Sequence, residues 1–316
     1  MTKPLRVIAW EITRRCPMAC QHCRGASRDC RYDNELSTEE AYRVLDSIVA
    51  AVQPPARLPM IIFTGGEPMF RDDLEAIVRY ATQRGFPAVL APCGRFASVE
   101  RLAALKAAGI RAISLSVDGP DAATHDAFRG VTGAFQMALE AMQAARTAGL
   151  PFQVNHTLTR AGLGNLRAMR DFAIAQGASR LDVFFLVPVG RGSAISAQCL
   201  TDAETEMALK EILTLDDEGR LPIHVTCEPR ILRLADARIE PTRSPCNGCM
   251  AGAGFLFLSH VGQLQPCGFF ERPLGNIRDF DLDLPKTLAA SPHYAALNGG
   301  RVCLARAAAK VASSTL

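Results

Sequence analysis

Short apolar segments rich in β-branched residues alternate with amphipathic segments rich in Ala, Leu and Arg through the first 190 residues. This alternation predicts β/α units, because strands that are joined by a helical crossover pair in parallel and the helices cover the sheet. Six such units can be distinguished, so the sequence predicts an α/β fold with a parallel sheet. The predicted strands are 7–12, 60–63, 88–91, 112–117, 152–158 and 181–187.

The pattern changes after Pro188. A Gly/Ser-rich loop is followed by one predicted helix, a strand-like segment at 223–227 and a predicted hairpin of residues 255–259 and 263–266. Residues 289–316 are rich in Ala and Ser with little pattern, which predicts poor order. We therefore expect a core of residues 1–190, a cysteine-bearing extension of residues 191–280 and an atypical tail of residues 281–316.

Composition restricts the possible partners and the compartment. The net charge is +3 and the basic residues are scattered, so the charge pattern does not favour nucleic acid as a partner. No apolar run approaches the ~18 residues of a membrane helix, which predicts a protein without a membrane partner. Eleven cysteines follow no secretory leader, and this favours a reducing cytoplasm in which cysteines bind metal.

Three cysteines in the spacing C-x3-C-x2-C follow the first predicted strand directly: Cys16, Cys20 and Cys23. Three thiolates this close together can bind three irons of a [4Fe–4S] cluster and leave the fourth iron without a protein ligand. A zinc knuckle or a run of structural cysteines is the alternative, but zinc usually takes a complete set of four ligands. The spacing therefore favours a cluster with an open, reactive iron.

Other unusual motifs also follow predicted strands. The segment Gly65-Gly66-Glu67-Pro68 ends the second strand, and Ser116 and Asp118 close the fourth. Ligands of α/β proteins bind where the carboxyl ends of parallel strands meet. Each motif alone has a simpler interpretation: Asp118 begins an ordinary turn, Glu67 caps the next helix, and Arg129 is a solvated helix residue.

Together these motifs resemble the radical S-adenosylmethionine (SAM) superfamily over about residues 4–280. The resemblance implies a partial (β/α)6 barrel with a small cysteine-bearing C-terminal extension. It also implies that Cys16, Cys20 and Cys23 bind the [4Fe–4S] cluster and that SAM chelates its open iron. The residues that it implies contact SAM are His22, Gly65, Gly66, Glu67, Pro68, Ser116, Asp118, Arg129, Asn155 and Leu186.

Within this resemblance the glycines suit close approach of the backbone to the methionine moiety. His22 is expected beside the adenine, and Arg129 is expected on a carboxylate. His125 is assigned to the helix surface and left out of the site. Trp10 and Cys93 are interpreted as structural residues, as is Cys30.

A second cysteine group lies in the extension. Cys249-x12-Gly262-x4-Cys267 resembles the hairpin that opens the SPASM or twitch extension of these enzymes, and Cys246 adds a C-x2-C pair with Cys249. A zinc or rubredoxin-like site is the alternative. A full SPASM domain has further cysteines after this hairpin, but only Cys303 follows here, which predicts a truncated or altered tail. Counting ligands leaves at most one auxiliary iron–sulfur cluster, bound by Cys246 or Cys227 with Cys249, Cys267 and Cys303.

Five segments resemble the haem-forming branch of the superfamily, and above all the iron-coproporphyrin III oxidative decarboxylases: 9–16, 61–68, 116–130, 185–192 and 259–268. The resemblance implies that reductive cleavage of SAM gives a 5′-deoxyadenosyl radical, which takes hydrogen from a propionate so that carbon dioxide leaves and a vinyl group remains. It implies a porphyrin as the small-molecule substrate and an electron donor such as flavodoxin or ferredoxin. Cationic partners for the substrate carboxylates are expected among Arg14, Arg15, Arg24 and Arg191.

Two other functions remain open at this point. One is a peptide-modifying SPASM maturase, but such enzymes usually carry a leader-recognition domain before the barrel, and only about six residues precede the first predicted strand. The other is a non-catalytic, degenerate iron–sulfur protein.

Overall fold

The computed structural model describes residues 5–52, 57–236, 248–297, 300 and 302–313. Ten strands in this part of the chain form one sheet. The strands are β1 (Val7–Thr13), β2 (Met60–Gly65), β3 (Ala88–Leu90), β4 (Ile110–Ser116), β5 (Phe152–Leu158), β6 (Leu181–Phe185), β7 (Ile223–Thr226), β8 (Phe255–Leu258), β9 (Gln263–Gln265) and β10 (Gly275–Asn276). Their order across the sheet is β10-β9-β8-β1-β2-β3-β4-β5-β6-β7.

Among the described residues, eight α-helices lie between strands, and two follow the last strand. The first eight are α1 (Thr38–Ala51), α2 (Leu74–Gln83), α3 (Val99–Ala107), α4 (Ala122–Arg129), α5 (Ala134–Thr147), α6 (Leu166–Ala175), α7 (Asp202–Asp217) and α8 (Ile231–Asp236), and the last two in the described part of the chain are α9 (Leu284–Ala290) and α10 (Leu304–Ser313). Helix α1 begins at a capping box, a short motif of Ser followed three residues later by Glu, in which the Ser37 side chain accepts from the Glu40 backbone N–H and the Glu40 side chain accepts from that of Ser37.

The two faces of the sheet differ in polarity. In β5 the residues at Phe152, Val154 and Leu158 are fully buried, whereas Gln153 and Asn155 between them are only half-buried. Because side chains alternate along a strand, one face joins the apolar core and the other presents polar groups. The α/β fold with a parallel sheet is confirmed, and the sheet is open between β7 and β10.

Four strands extend the six predicted ones, β7 at one edge and β8, β9 and β10 at the other. The segment at 223–227 was expected outside the barrel, but β7 pairs in parallel with β6. The predicted hairpin is present as β8 and β9, and β8 pairs in parallel with β1. The edge strands of a six-stranded sheet, here β1 and β6, would carry unpaired backbone groups. Strands β8 and β7 of the extension pair with these groups. The division of the chain at residues 190 and 280 stays a prediction.

The tail differs from its expected poor order, because residues 304–313 form α10. Alanine-rich segments have high intrinsic helix propensity even without a clear pattern. Helix α10 is fixed by an ion pair between Arg306 and the buried Glu228, and Arg306 lies 5.6 Å from the centroid of the Phe185 ring. No helix in the described ranges is long and apolar enough to cross a membrane.

Candidate cluster and cofactor site

The loop between β1 and α1 carries Cys16, Cys20 and Cys23 at the carboxyl end of β1. Cys16 and Cys20 are buried, Cys23 is half-buried, and all three pack in one small apolar cluster with Cys93. Burial raises the pKa of the Cys16 thiol to about 12. Binding of a metal group by this loop must therefore displace protons.

The described residues include no group of three His, Cys, Asp or Glu side chains that could hold a single metal ion. A cubane spreads its cysteine ligands around several irons, so its thiolates need not converge on one point. Binding of a cluster by Cys16, Cys20 and Cys23 stays a prediction from their spacing. The residues that pack against this loop determine whether it can hold such a group.

The loop after β6 holds the cysteine loop in place. Arg191 donates from Nε to the Cys20 carbonyl at 2.8 Å and from Nη1 to the Ser27 carbonyl at 2.6 Å. Its backbone N–H donates to the Cys23 carbonyl at 3.0 Å. Arg191 was predicted as a partner for a substrate carboxylate, but in this structure its guanidinium binds backbone carbonyls of the cysteine loop.

Gly65 and Gly66 bring the end of β2 against the start of the cysteine loop. A Cβ atom on Gly65 would lie 2.2 Å from the Thr13 carbonyl oxygen, and one on Gly66 would lie 2.3 Å from that of Arg15. The Gly66 N–H donates to the Thr13 carbonyl at 2.8 Å. No side chain fits at either position, so backbone packing already requires both glycines.

Glu67 is completely buried, and its carboxylate is bound by backbone N–H groups. Oε1 accepts from Met69 at 2.9 Å, at the start of the short 3₁₀ helix Pro68–Phe70, and Oε2 accepts from Cys93. Burial raises the pKa of the carboxyl group. The capping interpretation of Glu67 therefore has structural support, and the side chain also joins the ends of β2 and β3.

Asp118 and Arg129 form a buried ion pair next to the cysteine loop. Arg129 Nη2 lies 2.7 Å from Asp118 Oδ2, and Arg129 Nη1 donates to the Cys20 sulfur at 3.6 Å. The Thr157 N–H donates to Asp118 Oδ1 at 2.7 Å. Burial opposes the charge on Asp118, but Arg129 and His22 hold its pKa well below the usual range. Arg129 is 8% exposed, so its interpretation as a solvated residue is wrong.

His22 lies beside this pair. Its ring stacks on Phe128 with 4.5 Å between centroids and 8° between planes, and Nε2 is 3.9 Å from Asp118 Oδ2. Burial lowers the pKa of His22 to about 4, although Asp118 acts in the opposite direction. The ring is therefore neutral near pH 7, and its Nδ1 has no hydrogen-bond partner among the described residues.

Two further histidines belong to the site and were missed. His125 was assigned to the helix surface, which is wrong: it is 1% exposed and its Nδ1 accepts the Asp118 backbone N–H at 3.0 Å. His156 places Nδ1 3.1 Å from the Val117 carbonyl oxygen. The spacing contains a signal for His125, because it precedes Arg129 by four residues on α4 and so lies on the same helix face.

The remaining predicted SAM contacts are Ser116 at the end of β4, Asn155 in the middle of β5 and Leu186 directly after β6. Ser116 is opposite Asn155 in the sheet register, and both are half-buried. The Asn155 amide oxygen accepts from Gln153 Nε2 at 2.8 Å. Leu186 follows β6 and is buried, with its carbonyl accepting the Cys199 thiol at 3.8 Å. Their contact with SAM stays a prediction.

Four thiols of the extension influence one another's titration. The Cys303 thiol raises the pKa of Cys249, the Cys227 thiol raises that of Cys303, and burial and the charges of Cys303 and Cys249 raise that of Cys267. A bridge between the backbones of Cys249 and Gly300 returns the tail to this point. Of the predicted ligands, Cys249 and Cys267 are in this group, whereas Cys246 lies outside the described residues.

The conformation of Cys227 is unusual, since its φ of 66° is in the left-handed region that non-glycine residues rarely adopt.

Burial raises the pKa of Cys267 to about 11. The hydrogen bond to Cys227 raises that of Cys303 to about 11. The thiols of Cys267 and Cys303 are therefore protonated near pH 7 unless a metal group displaces their protons.

A family profile and two similar proteins agree on the family to which this chain is similar. The sequence profile of the Radical SAM superfamily matches residues 10–163. An AdoMet-dependent heme synthase of Nitratidesulfovibrio vulgaris is 37% identical over 300 residues, which cover 92% of this chain and 80% of that protein. An enzyme of the same name from Methanosarcina barkeri is 36% identical over 290 residues, or 88% and 81% of the two chains.

Solved structures share the fold at low sequence identity. The crystal structure of Streptococcus suis SuiB bound to the precursor peptide SuiA aligns with a TM-score of 0.71 and 18% identity. The alignment covers 94% of this chain and 67% of that one. At this identity the likeness supports the architecture alone.

Proposed function

The chain belongs to the radical SAM superfamily and is an enzyme, and we propose on that premise that it acts in haem formation, by oxidative decarboxylation of the propionates of iron-coproporphyrin III to vinyl groups. Support for the branch comes from two relatives named heme synthases that are more than 35% identical across about four fifths of their length. The observation that carries the catalytic part is the position of Arg129 between the Cys20 sulfur and the Asp118 carboxylate.

The proposed ligands of a [4Fe–4S] cluster are Cys16, Cys20 and Cys23. Thiolate ligands bring negative charge into a buried loop, and the Arg129 guanidinium beside Cys20 offsets it. When bound and reduced, such a cluster supplies the electron that cleaves SAM to methionine and a 5′-deoxyadenosyl radical. An electron donor of the flavodoxin or ferredoxin type is part of the proposal.

Unpaired buried atoms next to the loop suit a polar cofactor. His22 Nδ1, Arg129 Nε and His156 Nε2 are buried and have no hydrogen-bond partner among the described residues. Buried polar groups are normally paired, so these atoms favour a ligand that completes them. We propose SAM as that ligand, with the Asp118 carboxylate and the residues Ser116, Asn155 and Leu186 around it. The burial of the site would exclude water from a reactive radical.

We further propose that Cys227, Cys249, Cys267 and Cys303 bind one auxiliary iron–sulfur cluster, which would accept the electron released when carbon dioxide leaves the substrate radical. Four cysteine thiolates are a complete ligand set for such a cluster. The left-handed backbone at Cys227 is a strained conformation of the sort that persists where the surroundings require a side chain in one direction.

The function is tested with protein reconstituted anaerobically with iron and sulfide, reduced, and incubated with SAM and iron-coproporphyrin III. Mass spectrometry should show 5′-deoxyadenosine and a porphyrin that has lost carbon dioxide and hydrogen from its propionates. The Cys20→Ala variant should yield neither product. SAM cleavage with an unchanged porphyrin would contradict the haem assignment, and absence of cleavage in fully reconstituted protein would contradict the enzymatic one.

A further inference from the structure

A concave site that neither Asp118 nor Arg129 lines adjoins the cysteine loop. It is a cavity of about 450 Å³ between this loop and the β8–β9 hairpin. Its polar wall is formed by Arg14, Arg24, His260, Gln263 and Gln265. Neither member of the buried Asp118–Arg129 pair lines it, so the cavity is distinct from the proposed SAM site.

A buried carboxylate positions the cations of this wall. Glu11, on β1, is fully buried, and it accepts from Arg24 Nη2 at 2.7 Å and from Arg14 Nε at 3.1 Å. His260 Nδ1 lies 2.7 Å from the same carboxylate. Burial alone would raise the pKa of Glu11, but Arg24, His260 and Arg14 together lower it to about 2. Glu11 therefore stays ionised and holds both guanidinium groups at the cavity.

The wall has more donors than acceptors. Within the described residues, the only hydrogen bond of Arg24 is the one to Glu11, although a guanidinium has five N–H donors. The side-chain amides of Gln263 and Gln265 line the cavity with no partner in the described part of the chain. The Ser259 hydroxyl already accepts from the backbone N–H of Gln263.

The shape of the cavity leaves the Arg24 guanidinium accessible. Arg24 is stacked over the Phe257 ring, with its guanidinium carbon 4.1 Å from the centroid. A Cβ atom on Gly268 would lie 3.1 Å from Arg24 Cδ, so the glycine gives this side chain room. The stacked guanidinium loses little further freedom when it pairs with a planar anion.

The cavity also lies between the two cysteine groups. Arg24 follows Cys23 directly in the chain, and Gly268 follows Cys267. A ligand held here would contact the loop of the proposed catalytic cluster on one side and the proposed auxiliary site on the other.

We propose that this cavity binds a carboxylate side chain of the substrate, with Arg24, Gln263 and Gln265 as donors and Glu11 as a positioning residue. The inference rests on the proposed function for the identity of the substrate, which is a porphyrin with propionate groups. An arginine fork matches a carboxylate in two parallel hydrogen bonds, and amide N–H groups complete the remaining lone pairs.

Charge changes at two accessible positions test the proposal and leave the buried Glu11 and its three partners unchanged. Gln263→Glu puts a negative charge into the wall, and Glu271→Gln removes the carboxylate that, among the described residues, lines the cavity. Gln143→Glu, on the exposed surface of α5 beside Arg146, is the matched control. Binding of metal-free coproporphyrin III to each reconstituted protein is measured by fluorescence anisotropy, with its methyl ester as the uncharged probe.

Gln263→Glu should raise the Kd for coproporphyrin III about fivefold or more, because like charges would meet at short range. Glu271→Gln should lower the Kd, Gln143→Glu should not change it, and the ester should bind weakly to all the proteins. A Kd of Gln263→Glu within twofold of wild type, or an ester that binds as tightly as the acid, would overturn the proposal. Formation of 5′-deoxyadenosine, followed in the same samples, reports on the proposed function separately from the cavity.

Discussion

The ion pair between Asp118 and Arg129 should contribute strongly to stability in the metal-free protein. The side chain of Asp118 is 0% exposed, that of Arg129 is 10% exposed, and the two are 2.7 Å apart. Asp118→Asn keeps the size of the side chain but leaves the guanidinium buried without its counter-ion. Breaking a buried pair in this way costs about 3–5 kcal/mol. For a chain of 316 residues, this corresponds to a fall of about 5–8 °C in Tm.

Urea unfolding of the metal-free protein under nitrogen measures the effect at pH 7. Asp29→Asn is the control, because the Arg15–Asp29 pair is also 2.7 Å long but 47% and 51% exposed, and its loss should cost under about 1 kcal/mol. The double variant Asp118→Asn/Arg129→Gln should recover part of the loss. Equal effects of Asp118→Asn and Asp29→Asn would refute the reasoning.

Three other predictions follow from contacts of the site. Gly66→Ala should lower both the free energy of unfolding and the iron content after reconstitution, since its Cβ would overlap the Arg15 carbonyl. Gly164→Ala, whose added Cβ would lie in open space, is the control. Equal iron contents in the two variants would contradict the prediction. The pKa of Glu11 is lowered to about 2, so its stabilising effect is complete above pH ~4.5 and is lost as the pH falls towards 2. The free energies of unfolding in urea of wild type and Glu11→Gln should therefore differ most at neutral pH and converge in acid. A difference that does not change with pH would contradict this prediction. Cys303→Ser should lower the iron bound per chain whereas Cys199→Ser should not, as measured by iron analysis and Mössbauer spectroscopy, and unchanged iron in Cys303→Ser would exclude it as a ligand.

Local signals predicted the parts of the fold that are built locally. The strands of the first six units and the capping box of α1 follow from periodicity and from a short motif. The pairing of β8 with β1 does not, because it joins segments more than 240 residues apart and depends on which edge is free. The alanines of α10 favour a helix locally, but the ion pair that fixes its position joins Arg306 to Glu228, 78 residues earlier, and has no local signal.

In the candidate site too, most features with a local signal were predicted and features that depend on distant contacts were not. Spacing and motif order singled out the cysteine loop and the strand-end residues, and the structure places Arg129 and Asp118 in contact beside Cys20. Sequence reasoning gave the glycines of the second motif a role towards a ligand, whereas their first requirement is backbone packing. Glu11 was missed because a buried polar residue is recognised by its partners, and Arg24 and His260 become its neighbours only in the folded state. For His125, which was also missed, a signal was present in its spacing to Arg129 on α4.

The central claim is that the loop of Cys16, Cys20 and Cys23 binds a cluster that cleaves SAM. The most direct measurement is the yield of 5′-deoxyadenosine from reconstituted, dithionite-reduced protein with SAM, compared with Cys20→Ala and with Cys30→Ala, whose cysteine is exposed on the same loop. The account predicts product from wild type and Cys30→Ala and none from Cys20→Ala. No product from wild type with full iron content, or an undiminished yield from Cys20→Ala, would contradict it.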